Sequence, residues 1–223
     1  VSVNTTSGFS IATYSGTGAT ATIGHGLGVV PKVIVTKVYS DNEDWMVYHA
    51  SLGNTTGLRL NDTNASLGAS SAYWNDTTPT STVFTVGTHP TTNWSGKTLV
   101  AYCFAEVAGY SKFSSFKGNG NVDGTFVYTG FKPSFVISKR SDSTGNWLLI
   151  DNKRVGYNPD QNDLRPNLNN AEGSDETFDL LSNGFKVRTT SNDFGGGSGA
   201  TYIYMAFAEA PFVNSNGVPC NAR

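Results

Sequence analysis

The sequence predicts an all-β protein, a β-sandwich of jelly-roll or concanavalin-like type assembled from two sequence repeats. Three observations carry that expectation. Ser, Thr, Asn and Gly occupy 95 of 223 positions, while Asp, Glu, Lys and Arg make up 14%, against about 25% in an ordinary soluble domain. The apolar runs are short, β-branched or aromatic, and bounded by Gly, Asn and Ser, which is how strands and tight turns are written. The chain also repeats itself at a spacing of 102 residues.

Composition speaks against long surface helices, which draw on Glu, Lys, Gln and Ala; there is one Gln, Gln161. Hydrophobic residues at 38% and aromatics at 12% are enough for a packed core, which excludes full-length disorder.

The repeat is read residue by residue. Tyr14-Ser-Gly16-Thr-Gly18 returns as Phe116-Lys-Gly118-Asn-Gly120, and Gly28, Pro31, Lys37 and Trp45 return as Gly130, Pro133, Lys139 and Trp147. Later matches drift: Asn61 pairs with Asn167, Phe84 with Phe185, and Ser95-Gly96 and Phe104-Ala105-Glu106 with Ser198-Gly199 and Phe207-Ala208-Glu209. Insertions therefore fall between strand-like runs, where loops tolerate them. The expected organisation is a first β repeat over 1–111, a second over 112–212 packed with the first, and a tail over 213–223. No Pro/Ser-rich linker joins the halves, so they are expected to pack closely.

Each half carries matching strand candidates: Val33–Val38 and Phe135–Lys139, Trp45–His49 and Trp147–Asp151, Val83–Val86 and Phe185–Val187, Leu99–Val107 and Tyr202–Ala208. The stretches Ala65–Trp74 and Glu172–Leu181 are each expected to hold a helical turn. In TLVAYCFAEV one face carries Ala101, Cys103 and Ala105 and the other Val100, Tyr102 and Phe104. Both faces read as buried, the large one filling the core and the small one letting a second layer approach.

Charge and cysteine content remove several functions. Net charge is −2 and no basic stripe exists, so nucleic-acid binding is not expected. No segment approaches 18 apolar residues, so membrane insertion by a helix is not expected. Val1 is not an initiating Met, which reads as a processed chain or a piece of a longer one. Cys103 reads as a buried small hydrophobe; a Cys103–Cys220 bond is open to the chain but has no positive support in the sequence, and neither cysteine has the spacing of a zinc site.

Catalytic chemistry finds little support. His25, His49 and His89 do not recur between the halves, and no GxSxG elbow is present. Glu106 and Glu209 are the carboxylates at matched positions, and their recurrence reads as a shared structural duty, not as the acid/base pair of a glycosidase. Asp41-Asn42-Glu43-Asp44 and Asp160-Gln-Asn-Asp163 are rich in oxygen donors suited to Ca²⁺, but neither fits an EF-hand and a solvated turn is the better reading. No cofactor or metal is expected. Trp45 and Trp147 are repeat-equivalent and read as core. Trp74 and Trp94 lack aromatic partners and sit among Asn and Thr (YWNDTT, TTNWSG), which makes them the candidates for stacking on a sugar ring.

The runs GHGLGVVPKVIVTK, PTSTVFTVG and SGKTLVAYCFAEVAGYSKF, with their second pass GNGNVDGTFVYTGFKPSFVISKR, FDLLSNGFKVRTTS and GATYIYMAFAEAPF, resemble a repeat domain widespread in tail-associated proteins of bacteriophages, especially those of marine bacteria. The resemblance covers about residues 8–212 and is most specific at CFAE and AFAE with their preceding SG turns. It implies a virion structural protein with a lectin-like sandwich, no catalytic motif, and an extracellular place in the virion. Trp94 stands where a small residue is usual in that family. The C-terminal Ala-Arg is the sort of ending seen there, so Arg223 is expected to be the natural end.

The function expected is therefore a tail-fibre or receptor-binding domain recognising a host surface glycan. Its expected partners are copies of itself, as a homotrimer, and other virion proteins. A capsid decoration or spike protein, a glycan-degrading enzyme and a secreted sugar-binding module are the alternatives. Residues 1–111 hold 4 Lys/Arg and 6 Asp/Glu while the remainder holds 11 of each. The first half is thus the expected place for a neutral glycan and the second for charge-paired packing.

Overall fold

A computed structural model describes residues 1–154, 157–158, 162–174 and 177–209. The protein is all-β, built from antiparallel sheets. Two compact units divide it: unit 1 is Val1–Asn61 with Ser66–Glu106, and unit 2 is Val107–Arg223 together with Asp62–Ala65. The main boundary falls ahead of the 111/112 junction read from the sequence, and the assignment of 62–65 to unit 2 has no signal in the repeat. Tail residues 213–223, including Cys220, lie outside the described residues, as do Asp160 and Gln161.

Unit 1 contains β1 (Ser2–Asn4), β2 (Phe9–Ser15), β3 (Ala21–Gly24), β4 (Val33–Val38), β5 (Met46–His49), β6 (Leu58–Arg59), the single-turn helix α1 (Ser71–Trp74), β7 (Val83–Val86), the single-turn helix α2 (Pro90–Asn93) and β8 (Thr98–Phe104). The larger sheet runs β1-β2-β8-β4-β5-β6, and β3 pairs with β7 in a separate two-stranded ladder. Strand β8 is central, bonded to β2 on one edge and β4 on the other. Its register builds the inner face rung by rung: Ser10–Cys103–Ile34, Ala12–Ala101–Thr36 and Tyr14–Leu99–Val38. Of these, Tyr14, Ile34, Ala101 and Cys103, joined by Met46 and Tyr48, cluster with Ile23, Phe84 and Val86 of the small ladder and Trp74 of α1.

The face of β8 that fills the core is the small one. Ala101, Cys103 and Ala105 are buried, while Tyr102 and Phe104 on the opposite face are only half-buried. The expectation of a large core-filling face is corrected here. The small residues leave room into which Tyr48, Trp74 and Phe84 project from neighbouring elements, so volume lost on the strand is supplied from across the core. Burial pushes the Cys103 thiol up to about 12, as expected of an inert core cysteine.

Unit 2 contains β9 (Ser111–Lys117), β10 (Phe126–Tyr128), β11 (Phe135–Arg140), β12 (Trp147–Asp151), β13 (Phe178–Leu181), β14 (Gly184–Val187) and β15 (Thr201–Phe207). One sheet runs β12-β11-β15-β9 and the other β10-β14-β13. Strand β15 is central, between β9 and β11. Its inner face carries Tyr202, Tyr204 and Ala206, which pack with Phe116, Val136, Leu148 and Ile150 against Val127, Phe178, Phe185 and Val187 of the second sheet. The helical turn expected in Glu172–Leu181 is not formed at its C-terminal end. Phe178–Leu181 is β13, pairing residue for residue with β14, because Phe178 and Leu180 alternate inward with period two.

Local ties secure both units in corresponding ways. Trp45 N–H donates to Asn61 Oδ1 at 2.9 Å, and Trp147 N–H to Asn167 Oδ1 at 2.9 Å. Lys37 Nζ donates to the carbonyls of Asp41 and Glu43, and Lys139 Nζ to those of Thr63 and Arg140. Lys139 is fully buried, and that burial pulls its ammonium down to about 8. Trp147 is buried as expected. Trp45 is half-buried, lying parallel to Tyr102 on the outer face of the sheet, so its assignment to the core is corrected.

His25 is buried, with Nε2 bonded to the Thr80 carbonyl and Nδ1 accepting from Leu27 N–H. Burial holds its pKa below the ordinary histidine range. The unfolded chain therefore binds the proton more readily. Stability is complete above about pH 6.5 and is lost as the pH falls below that value, until the folded-state pKa is passed. Guanidinium midpoints for the wild type at about pH 7.5 and about pH 5.5 should show a loss on acidification that His25→Gln reduces. An identical loss in the variant would remove His25 from this account.

Candidate binding surface

Of the two tryptophans expected to stack on a sugar, the structure withdraws Trp74. It is 1% exposed. Helix α1 is one turn long, started by Ser70, whose hydroxyl accepts from Ala72 N–H, and ended by Asn75 in the left-handed region at φ 52. That turn aims Trp74 inward while its polar neighbours remain outside. The indole N–H donates to the Thr56 carbonyl at 3.0 Å and the ring meets Tyr48 edge-on.

Trp94 is half-buried at the C-terminal end of α2. Lys97 places its ammonium 5.2 Å from the ring centroid and also pairs with Asp41. The Trp94 backbone passes so close to Gly16 that a Cβ there would lie 2.0 Å from the Trp94 carbonyl oxygen. One face of the indole is thus already occupied by a cation.

The paired glutamates diverge in their surroundings. Glu209 is exposed and ion-paired with Lys153, which holds its carboxyl below the usual carboxylate range. That is the opposite of what a general acid needs. Glu106 is half-buried just past the end of β8. In the acidic turn, Asp41 is held low by Lys97, and Asp44 pairs with Arg59 and accepts from Asn61. Asp163 pairs with Arg165. Among the described residues no group of three or more His, Cys, Asp or Glu side chains is gathered as a metal site.

The exposed aromatics that do share a surface are Phe126, 44% exposed, and Tyr128, 65% exposed. Both lie on β10, the edge strand of β10-β14-β13. Val127 between them points into the core, so strand alternation puts both rings on the outer face. Each ring lies against a glycine. A Cβ on Gly184 would come 3.1 Å from Phe126 Cε2, and one on Gly130 would come 3.7 Å from the Tyr128 hydroxyl. Gly184 is also forced by the Val127 carbonyl, which a Cβ would approach to 2.1 Å. Beside the rings, Phe126 is opposite Lys186 and Lys186 opposite Asp179. Lys186 pairs with Asp123, and Arg188 with both Asp123 and Asp179. The Lys186 ammonium holds Asp123 below the usual carboxylate range.

The corresponding ladder of unit 1 has no such rings. Phe84 faces Ile23 there as Phe185 faces Val127 here, and the residues flanking Ile23 are Thr22 and Gly24. Phe126–Tyr128 is not among the strands the sequence predicts, because the run is three residues long and is bounded by Gly and Thr on both sides. The signal that was present is the departure at these two outward positions between the halves.

Residues 1–211 match a domain of unknown function, DUF7483. The chain belongs to that family. No curated protein and no solved structure matches it. Within this DUF7483 domain, Trp74 and Trp94 should behave differently when truncated. Trp74→Ala empties a core site and should cost about 3–5 kcal/mol of stability, whereas Trp94→Ala should cost about 1 kcal/mol or less. Chemical denaturation of the two variants checks this, and equal losses would contradict the placement of Trp74 as the core residue.

Proposed function

We propose that this protein is a bacteriophage virion component, a tail-fibre or receptor-binding domain that recognises a host surface glycan and acts without catalysis. The observation that carries the reading is the Phe126–Tyr128 pair, two exposed aromatic side chains on the outer face of one edge strand, each beside a glycine. Large aromatic rings are costly to leave in water, and an exposed cluster of them marks a contact surface. The glutamates at matched positions support a binding protein over a glycosidase, since Glu209 is ion-paired and its carboxyl is lowered. The motifs resembling phage tail repeats supply the virion setting, with homotrimeric assembly beside other virion proteins.

In the same reading the two units are copies of one jelly-roll or concanavalin-like sandwich. Support comes from the sheet orders, β2-β8-β4-β5 and β9-β15-β11-β12, and from paired loop bonds. Gly16 N–H to the Lys97 carbonyl and Gly118 N–H to the Ala200 carbonyl are one such pair, and Tyr39 N–H to Thr98 and Ser141 N–H to Thr201 another.

Purified protein offered to host-cell envelopes and to emptied capsids tests the proposal. Binding to envelopes is expected, with loss in Phe126→Ser/Tyr128→Ser and an unchanged circular dichroism spectrum. Binding confined to capsids would favour a decoration protein and overturn the receptor-binding reading.

A further inference from the structure

Resting on that reading of the Phe126–Tyr128 face, we infer that its ligand is an uncharged oligosaccharide at least two sugars long, bound at one site per chain. Three features of the face point to this occupant.

The first is spacing. Phe126 and Tyr128 are two residues apart on one strand, which separates their Cα atoms by about 6.5 Å along the strand. Each side chain lies beside a different glycine, Phe126 near Gly184 through Cε2 and Tyr128 near Gly130 through its hydroxyl end, so the two rings occupy separate places in a row. A single sugar ring covers one of them. A chain of two or more covers both, laying its C–H faces on the electron-rich ring faces.

The second is charge. The cations beside the rings are already neutralised. Lys186 is held by Asp123, and Arg188 by Asp123 and Asp179. An anionic sugar would have to displace Asp123 from two cations at once. An uncharged sugar leaves those pairs intact and donates its hydroxyl protons to the open lone pairs of Asp123, whose side chain is 75% exposed. Balanced charge on both sides of the interface favours the neutral ligand.

The third is asymmetry. Thr22 and Gly24 replace the two rings on the β3–β7 ladder, so the fold itself does not require them and unit 1 provides no second platform of this kind. One ligand per chain follows.

The test uses the full chain and surface polysaccharide stripped from the bacterium whose envelopes bind it. The polysaccharide is cut to graded lengths and separated into uncharged and anionic pools by anion exchange. Titration calorimetry should show binding in the uncharged pool from the disaccharide upward, at one site per chain. Single sugars should give no measurable heat. Tyr128→Ser should weaken binding by about tenfold or more. Asp123→Ala leaves Lys186 without its partner and should create binding to the anionic pool that the wild type lacks. Wild-type binding to the anionic pool, to single sugars, or to a protease-sensitive envelope protein in place of either pool would overturn the inference while the receptor-binding reading stands. Failure of the wild type to bind the envelopes overturns both.

Discussion

Everything in each unit hangs on a central strand whose backbone is hydrogen-bonded on both edges, β8 in unit 1 and β15 in unit 2. With N–H and C=O groups committed in both directions, such a strand can vary only in its side chains, and the two units resolve that freedom differently. Ala101 and Cys103 keep the inner face of β8 thin, and Trp74, Tyr48 and Phe84 fill the space from other elements. Strand β15 carries Tyr202 and Tyr204 itself. The consequence reaches the adjoining loop. The Tyr202 hydroxyl donates to the Asn192 carbonyl and accepts from Gly197 N–H, and a Cβ at Gly197 would lie 2.8 Å from that hydroxyl. In unit 1 the aligned residues are Leu99 and Trp94. The larger side chain of the aligned pair thus stands on the strand in unit 2 and in the loop in unit 1, where the half-buried Trp94 ring carries the Lys97 ammonium.

The strands legible in the sequence were those whose runs are β-branched, repeated and flanked by turn residues: β4, β7 and β12 stand where the pattern placed them. The strands that escaped notice have a physical excuse. In β9, Ser111, Phe113 and Phe116 are the buried positions, so Ser and Lys fill much of the run and mask its alternation. In β13 the inward Phe178 and Leu180 are separated by Asp179, a buried polar residue paired with Arg188, which follows the end of β14.

The direction of single side chains was harder still. Trp74 lies in a polar stretch, and composition placed it outside. A one-turn helix has no periodicity to reveal its inward side. What turns Trp74 inward is the pair of caps at Ser70 and Asn75 and the Thr56 carbonyl waiting for its indole N–H. Phe126 and Tyr128 were hidden for another reason: three residues are too few to show an alternation. Only the register against β14 shows that Val127 is the inward member of that trio.

The distribution of charge follows from the same geometry. The second half of the sequence holds most of the ionic side chains, and the structure spends many of them on one another within unit 2: Arg140 with Asp142, Arg154 with Asp151 and Glu172, Lys153 with Glu209, and Lys186 and Arg188 with Asp123 and Asp179. The exposed pairs in this set, such as Lys153–Glu209, contribute about 0–1 kcal/mol each to stability, too little to account for their number. Their effect on the surface is larger than their effect on the fold. Around Phe126 and Tyr128 they cancel the field that a lone lysine or arginine would project, leaving aromatic faces and hydrogen-bonding oxygens side by side without net charge. A surface of that kind has little long-range attraction for charged partners and holds what touches it by contact area and hydroxyl bonds. Such contacts are weak singly and gain strength when many copies engage together.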